Sequence, residues 1–200
     1  MADAPNKLPS KDELDTCRRC RLGALATQGV PGEGPRRARI MLVGEQPGDE
    51  EDLAGRPFVG PAGRLLRRAL DDAAIAADEV FVTNAVKHFS FEPRGKRRIH
   101  KTPAQREIAA CHAWLDAELA AVRPRIIVAL GGTALRALLG RRMTIGEARE
   151  SRLEHASGAR LVATFHPSAA LRAPDEGRRQ ELYGFIVGDL KKAAGFAAAG

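Results

Sequence analysis

Four short apolar runs, at residues 39–43, 79–83, 125–130 and 160–165, set the tightest limit on what this chain can fold into. Each is continuous rather than alternating, the pattern of a strand covered on both faces. Helical spacing fills the gaps. Leu65, Leu66, Ala69 and Leu70 follow Gly60-Pro61, and Ile108, Cys111, Leu115, Leu119 and Val122 follow the N-cap and first-turn pair Thr102-Pro103. Gly131-Gly132 opens another helix, and residues 178–194 form a last amphipathic one. Near the start, Ser10 and Glu13 have capping-box spacing and predict a short helix. Strand and helix in alternation predict an α/β fold, a three-layer α/β/α sandwich around a central four-stranded parallel sheet. Residues 1–9 read as a frayed polar end, 29–34 as a loop and 193–200 as an Ala-rich tail. The whole chain, 1–200, reads as one domain.

Composition narrows the partners. With 200 residues, 44% of them apolar, a core forms without disulfide staples. No apolar stretch is long enough to span a bilayer, and residues 1–7 hold no signal-peptide core, so the expectation is a soluble cytoplasmic protein without a membrane partner. The 32 basic residues, mostly arginine, exceed the 25 acidic ones by 7. That balance leans toward a polyanion, although genomic base composition also favours arginine. Three cysteines cannot complete a disulfide framework. Cys17 and Cys20 form a Cys-x-x-Cys pair, Cys111 stands far off, and a metal or redox site would need a fourth, non-Cys ligand. His88 is a candidate; spacing does not choose between an iron–sulfur centre and a Cys₃His zinc site.

Ligands of parallel sheets collect at the carboxyl ends of the strands. Here those ends carry Gly44-Glu45-Gln46-Pro47-Gly48-Asp49, Thr83-Asn84-Ala85, Gly131-Gly132 and His166-Pro167-Ser168. The first is a tight turn able to aim backbone N–H groups at an oxygen, with two acids beside it; it is neither a dinucleotide nor a Walker loop. Phe58, within Arg56-Pro57-Phe58-Val59-Gly60-Pro61, can stack on a flat ring. His166 can donate to a carbonyl, and Ser168 can meet a phosphate at a helix start. Lys96, Arg97, Arg98, His100 and Lys101 surround Ile99 in a basic loop suited to a nucleic-acid backbone.

Taken together and in this order, these motifs resemble the family 4 uracil-DNA glycosylases over roughly residues 17–172, and the Lys96-Arg97-Arg98-Ile99-His100 loop resembles the UdgX group. The resemblance implies a [4Fe–4S] cluster with a structural role, held by an N-terminal segment. Its ligands map to Cys17, Cys20, His88 and Cys111, with His88 standing where the family has Cys and His112 as the rival fourth ligand. It implies that uracil flips into a pocket. Phe58 would stack on the base, Asn84 would read its edge and refuse cytosine, and the Gln46 N–H and His166 would meet the charge on the ring oxygen. Glu45 would stabilise the sugar cation, polarise the attacker or orient His100. Lys96, Arg97, Arg98, Ser168 and Arg172 would contact DNA or hold the loop. The UdgX likeness implies that His100 attacks C1′ in place of water, leaving a single-turnover covalent adduct. The alternatives are conventional turnover with the loop as a DNA clamp, and a non-catalytic iron–sulfur nucleic-acid-binding domain. The expected partner is uracil-containing DNA, including single strands, bound by a monomer that needs no other protein.

Overall fold

The structure is a computed structural model describing residues 7–199. In chain order the helices are α1 (Lys11–Asp15), α2 (Leu22–Leu25), α3 (Asp49–Ala54), α4 (Pro61–Asp72), α5 (Gln105–Val122), α6 (Gly132–Leu139), α7 (Ile145–Glu150), α8 (Pro167–Leu171) and α9 (Glu176–Ala198). The strands are β1 (Ile40–Gly44), β2 (Val80–Asn84), β3 (Phe91–Arg94), β4 (Arg97–His100), β5 (Ile126–Leu130), β6 (Leu153–Glu154) and β7 (Arg160–Thr164).

The main sheet runs β2-β1-β5-β7-β6. Its first four strands are parallel, as the apolar runs require, in a register that sets Ile40 beside Val80 and Ile126, and Ile126 beside Arg160. β6 adds an antiparallel edge of two residues. Side chains alternate across the sheet, so two cores form. Met41, Val43, Phe81, Ile127 and Ala129 pack under Ile108, Cys111, Leu115 and Leu119 of α5 and Leu135 of α6. Ile40, Leu42, Val80, Ile126 and Val128 pack under Leu66 and Leu70 of α4 and Ile186 and Leu190 of α9. The result is the three-layer sandwich. The chain leaves β1 toward β2 on one side and crosses back to β5 on the other, so the topological switch, where such sheets open a crevice, lies between Gly44 and Leu130.

Several expectations need correction. The basic loop is a hairpin: β3 and β4 pair antiparallel, with Phe91 opposite His100 and Gly95 at φ 60 in its turn. Thr102 is not the cap of α5; Ala104 is, because the Glu107 carboxylate folds back onto its N–H at 2.7 Å. The Ala-rich end is no tail as far as residue 198, for α9 continues to Ala198 and buries Ala193 and Ala197, where small side chains permit close packing. Of the nine residues read as frayed, 1–6 lie outside the described residues, whereas Leu8 packs against the core and Pro9 is buried. The Ser10–Glu13 capping box is present in full. Among the described residues no helix is long and apolar enough to cross a membrane.

Candidate active site

The crevice at the switch is a cavity of about 540 Å³ whose wall includes Glu45, Gln46, Phe58, Asn84, His100 and His166. Six residues separated by up to 121 positions thus converge on one hollow.

The floor is tightly built. Gly44 ends β1 where a Cβ would lie 2.4 Å from Asn84 Oδ1 and 2.6 Å from the Phe58 ring, so only glycine lets both approach. Phe58 is buried and sits at φ 53, in the left-handed region that a phenylalanine rarely occupies. Its carbonyl accepts from Arg67 Nη1 at 3.1 Å, and its ring centroid lies 6.0 Å from that of His166. Glu51 pins the loop carrying Phe58: its carboxylate accepts the Gly48 N–H at 3.0 Å and the Gly60 N–H at 2.8 Å. Asn84 is 2% exposed, and its Oδ1 finds no hydrogen-bond partner among the described residues. A buried acceptor left open costs about 1–3 kcal/mol, so this oxygen is set to receive a donor from whatever fills the cavity.

His166 caps α8. Its Nδ1 accepts the Ser168 N–H at 3.2 Å and lies 2.7 Å from the Ser168 hydroxyl. The bond from the Ser168 amide requires a lone pair on Nδ1, which puts the proton of the neutral ring on Nε2. Desolvation, opposed by Glu45, pushes the His166 pKa down to about 4, so the ring is a neutral donor at ordinary pH. Ser168 thereby orients His166; its hydroxyl is turned to the imidazole, not displayed for a phosphate.

Glu45 lies between two donors. Thr133 Oγ1 donates to its Oε2, and His100 Nε2 stands 3.2 Å from its Oε1. Burial works to raise this carboxyl, but the hydrogen bonds from His100 and Thr133, with the nearby imidazoles, outweigh it and hold Glu45 below the usual carboxylate range. The His100 side chain is half exposed at the rim.

The hairpin bearing His100 is fixed at its base and along its side. The Gln46 amide donates to the Ser90 carbonyl at 3.1 Å and to the Lys101 carbonyl at 3.2 Å, and its oxygen accepts the Ser90 N–H at 3.0 Å. Arg98 reaches Asp49 at 2.6 Å and the fully buried Asp52 at 2.5 Å, and lies over the Phe89 and Phe91 rings. Arg98 is therefore a strut between hairpin and α3. Lys96 and Arg97 are exposed at the tip, and Arg172 lines the cavity.

Below the pocket Lys87 is fully buried. Its ammonium donates to Glu118 Oε2 at 2.6 Å, Thr83 Oγ1 at 2.6 Å and the Asn84 carbonyl at 2.7 Å. Glu118 also accepts from the Thr83 hydroxyl at 2.7 Å and the Gly32 N–H at 2.9 Å. This network holds the backbone of Asn84.

The predicted metal ligands share one corner without a closed ligand shell. Cys17 and Cys20 are half-buried and Cys111 is buried. Cys111 Sγ accepts the Lys87 N–H at 3.2 Å, and Cys17 Sγ accepts from the Trp114 indole at 3.4 Å. Burial pushes the Cys111 thiol up to about 11, with the charges of Cys20 and Cys17 adding to the rise. Donors aimed at sulfur suit thiolate ligands, and the three thiols are close enough to feel one another. His88 is 2% exposed with Nε2 3.0 Å from the Leu14 carbonyl, the backbone contact that typically holds the outer nitrogen of a ligating imidazole. His112 instead lies at the surface, 3.2 Å from Asp116. The donor set therefore fits a cluster in kind, with His88 the better-placed fourth member. Among the described residues, no three His, Cys, Asp or Glu side chains are already arranged around a common metal position.

Sequence reasoning missed Thr133, Glu51 and the side-chain role of Gln46. Thr133 had a signal in its place directly after Gly131-Gly132; Glu51 and Gln46 act on partners that only the fold brings near.

The pocket therefore offers a flat aromatic face, an open amide acceptor and a neutral histidine donor, groups suited to a flat polar ring. The chain belongs to the uracil-DNA glycosylase superfamily, whose family model matches residues 31–191. It is similar to the Type-4 uracil-DNA glycosylase of Thermotoga maritima, 38% identical over 186 residues that cover 92% of this chain and 91% of the relative. The Type-4 uracil-DNA glycosylase of Pyrobaculum aerophilum is 38% identical over 80% of this chain and 82% of its own length. A Type-5 uracil-DNA glycosylase of the same organism is 30% identical over 84% of this chain and 77% of its own.

Proposed function

We propose that this chain excises uracil from DNA and is captured by its product through His100. Uracil offers an N3–H donor flanked by carbonyl oxygens, and the open Asn84 Oδ1 supplies the acceptor that N3–H requires. Cytosine presents an acceptor at that position and would meet oxygen with lone pair. Phe58 stacks on the ring. The Nε2–H of His166 and the Gln46 N–H meet the oxygen on which negative charge grows as the N-glycosidic bond breaks and its electron pair leaves with N1. The sugar then carries a cation, and the Glu45 carboxylate faces it.

The contact between His100 and Glu45 carries the capture reading. One imidazole nitrogen gives its lone pair to C1′ and forms a C–N bond. The ring becomes an imidazolium beside Glu45 and sheds its remaining N–H proton to that carboxylate or to water. The alkylated imidazole is a poor leaving group, so turnover stops at one.

Cys17, Cys20, Cys111 and His88 would hold the iron–sulfur cluster, which would tie the N-terminal segment to the base of the pocket and supply no redox step. We further propose that the chain works as one domain, as a monomer in the cytoplasm, and accepts single-stranded DNA.

Uracil-containing single-stranded DNA incubated with the enzyme and run on a denaturing gel tests the proposal. A heat- and detergent-resistant band is expected. His100→Ser should lose the band and still release uracil. Free abasic product accumulating beyond one equivalent of wild-type enzyme, without a band, would establish ordinary turnover with the hairpin as a clamp. Absence of uracil release would leave a nucleic-acid-binding protein without catalysis.

A further inference from the structure

At the opposite end of the sheet, five arginines surround a second basin. Arg36, Arg37 and Arg39 precede β1, and Arg123 and Arg125 precede β5; all five are exposed around a hollow of about 580 Å³. Among the described residues its remaining lining is Ala38, Ala121 and Val122, with no acidic side chain. Arg37, Arg39, Arg123 and Arg125 form no ion pair among the described residues. From this we infer a second polyanion site, a seat for the phosphodiester backbone of nucleic acid outside the catalytic pocket.

The site is built rather than incidental. The Arg39 carbonyl accepts the N–H groups of Arg125 and Ile126, both at 3.0 Å, so the two arginine-bearing segments are locked side by side. Arg123 takes φ 50 as the C-cap of α5, with its N–H on the Leu119 carbonyl at 2.8 Å. The C-terminus of α5 brings roughly half a negative charge to this spot, far less than the guanidinium groups of Arg37, Arg39, Arg123 and Arg125 supply. Genomic preference for arginine codons sets the ratio of arginine to lysine; it does not gather arginines from two distant segments around one hollow. Asp78 and Glu79 line the neighbouring hollow, shared with Arg37 and Arg39, and mark the edge of the positive surface.

The chemistry selects the ligand. Guanidinium forks match phosphate oxygens. Among the described residues no aromatic ring and no amide side chain lines the basin, so none of them stacks on or reads a base. A strand of five residues separates it from the pocket, about 15 Å at ~3.3 Å per residue. The bound segment is therefore a remote stretch of the same strand or a second strand. The choice of nucleic acid as ligand rests on the DNA substrate proposed above; the charge geometry does not.

The test compares the wild type with Arg37→Ser/Arg39→Ser/Arg125→Ser and with the same three positions changed to lysine. Binding of a long uracil-free single strand is followed as a function of salt. Losing three phosphate contacts should lower the slope of log affinity against log salt by about 2, at ~0.7 per single-strand phosphate. The lysine variant, which keeps the charges, should retain the slope. Excision from a short uracil oligonucleotide that fills only the pocket should be unchanged in both variants, which also reports on folding. A second short strand binding to the wild type alone would identify the ligand as a separate segment; a difference confined to the long strand would identify it as the same one. An unchanged slope in the serine variant overturns the inference, as does an equal loss of short-oligonucleotide excision. Failure of the wild type to excise uracil would remove the proposed function while leaving the salt slopes to decide this site.

Discussion

The two ends of the sheet handle charge in opposite ways. At the carboxyl ends the charges beneath and beside the pocket have partners: Lys87 with Glu118, Arg98 with Asp49 and Asp52, and Glu45 with the donors Thr133 and His100. At the amino ends Arg37, Arg39, Arg123 and Arg125 stand exposed, with no acid lining their basin among the described residues. Buried charge must be paired to be tolerated, so the carboxyl end is rigid and exacting about shape. Exposed charge at the amino end costs little to maintain and remains available to a mobile, sequence-independent ligand. Recognition of a base needs the first arrangement, and contact with a backbone needs the second.

The largest expected effect breaks the comparison at its most buried point. Lys87→Met leaves the Glu118 carboxylate without its cation, and loss of a buried pair's partner costs about 3–5 kcal/mol. Chemical denaturation should show that loss, while Arg37→Ser should stay within about 0.5 kcal/mol of wild type. Equal effects at the two ends would erase the distinction.

Gln46→Leu comes next. It removes the three hydrogen bonds that seat the hairpin and leaves the buried Ser90 N–H open, at about 1–3 kcal/mol for such a group. The ratio of covalent adduct to free abasic product should fall about tenfold, which corresponds to ~1.4 kcal/mol, while uracil release persists. Parallel loss of both would mean that Gln46 serves the pocket rather than the hairpin.

The effect of pH on His166 is smaller. Its folded pKa of about 4 lies below its unfolded value, ~6.5. A histidine depressed in this way contributes its stability fully above the unfolded value and loses it as pH falls toward the folded one. Stability should decline between about 6.5 and 4 in the wild type and less steeply in His166→Asn. Excision that is limited by His166 should hold well below pH 6.5, and a steep loss of activity near that value would contradict a neutral donor. Smallest of all, Arg37→Ser alone should reduce the salt slope by about 0.7 without changing short-oligonucleotide excision.

The parallel strands were legible because burial on both faces forces continuous apolar runs, and the strand-end residues were legible because such sheets put their chemistry there. The hairpin was not. Phe91, Pro93, Arg94 and Arg97 show no strand periodicity, and what holds them is Gln46 and the acids of α3, more than 40 positions away. Separation along the chain also hid the pairing of Lys87 with Glu118, 31 positions apart. Thr102 followed by Pro103 resembled a helix start, but Glu107 capped the chain two residues later. The arginine basin required the register of β1 against β5, which joins residues 36–39 to 123–125; in the linear chain those arginines are two unremarkable flanks.

The hairpin of β3 and β4 forms its own two-stranded sheet and shares no ladder with the main one. It is an appendage, plugged in through the Gln46 amide, Arg98 and the contact of His100 with Glu45. Shortening it would remove no strand of the core and leave Phe58, Asn84 and His166 where they stand. Whatever the hairpin adds can therefore be lengthened, shortened or replaced as one unit, because the strands that carry the pocket do not run through it.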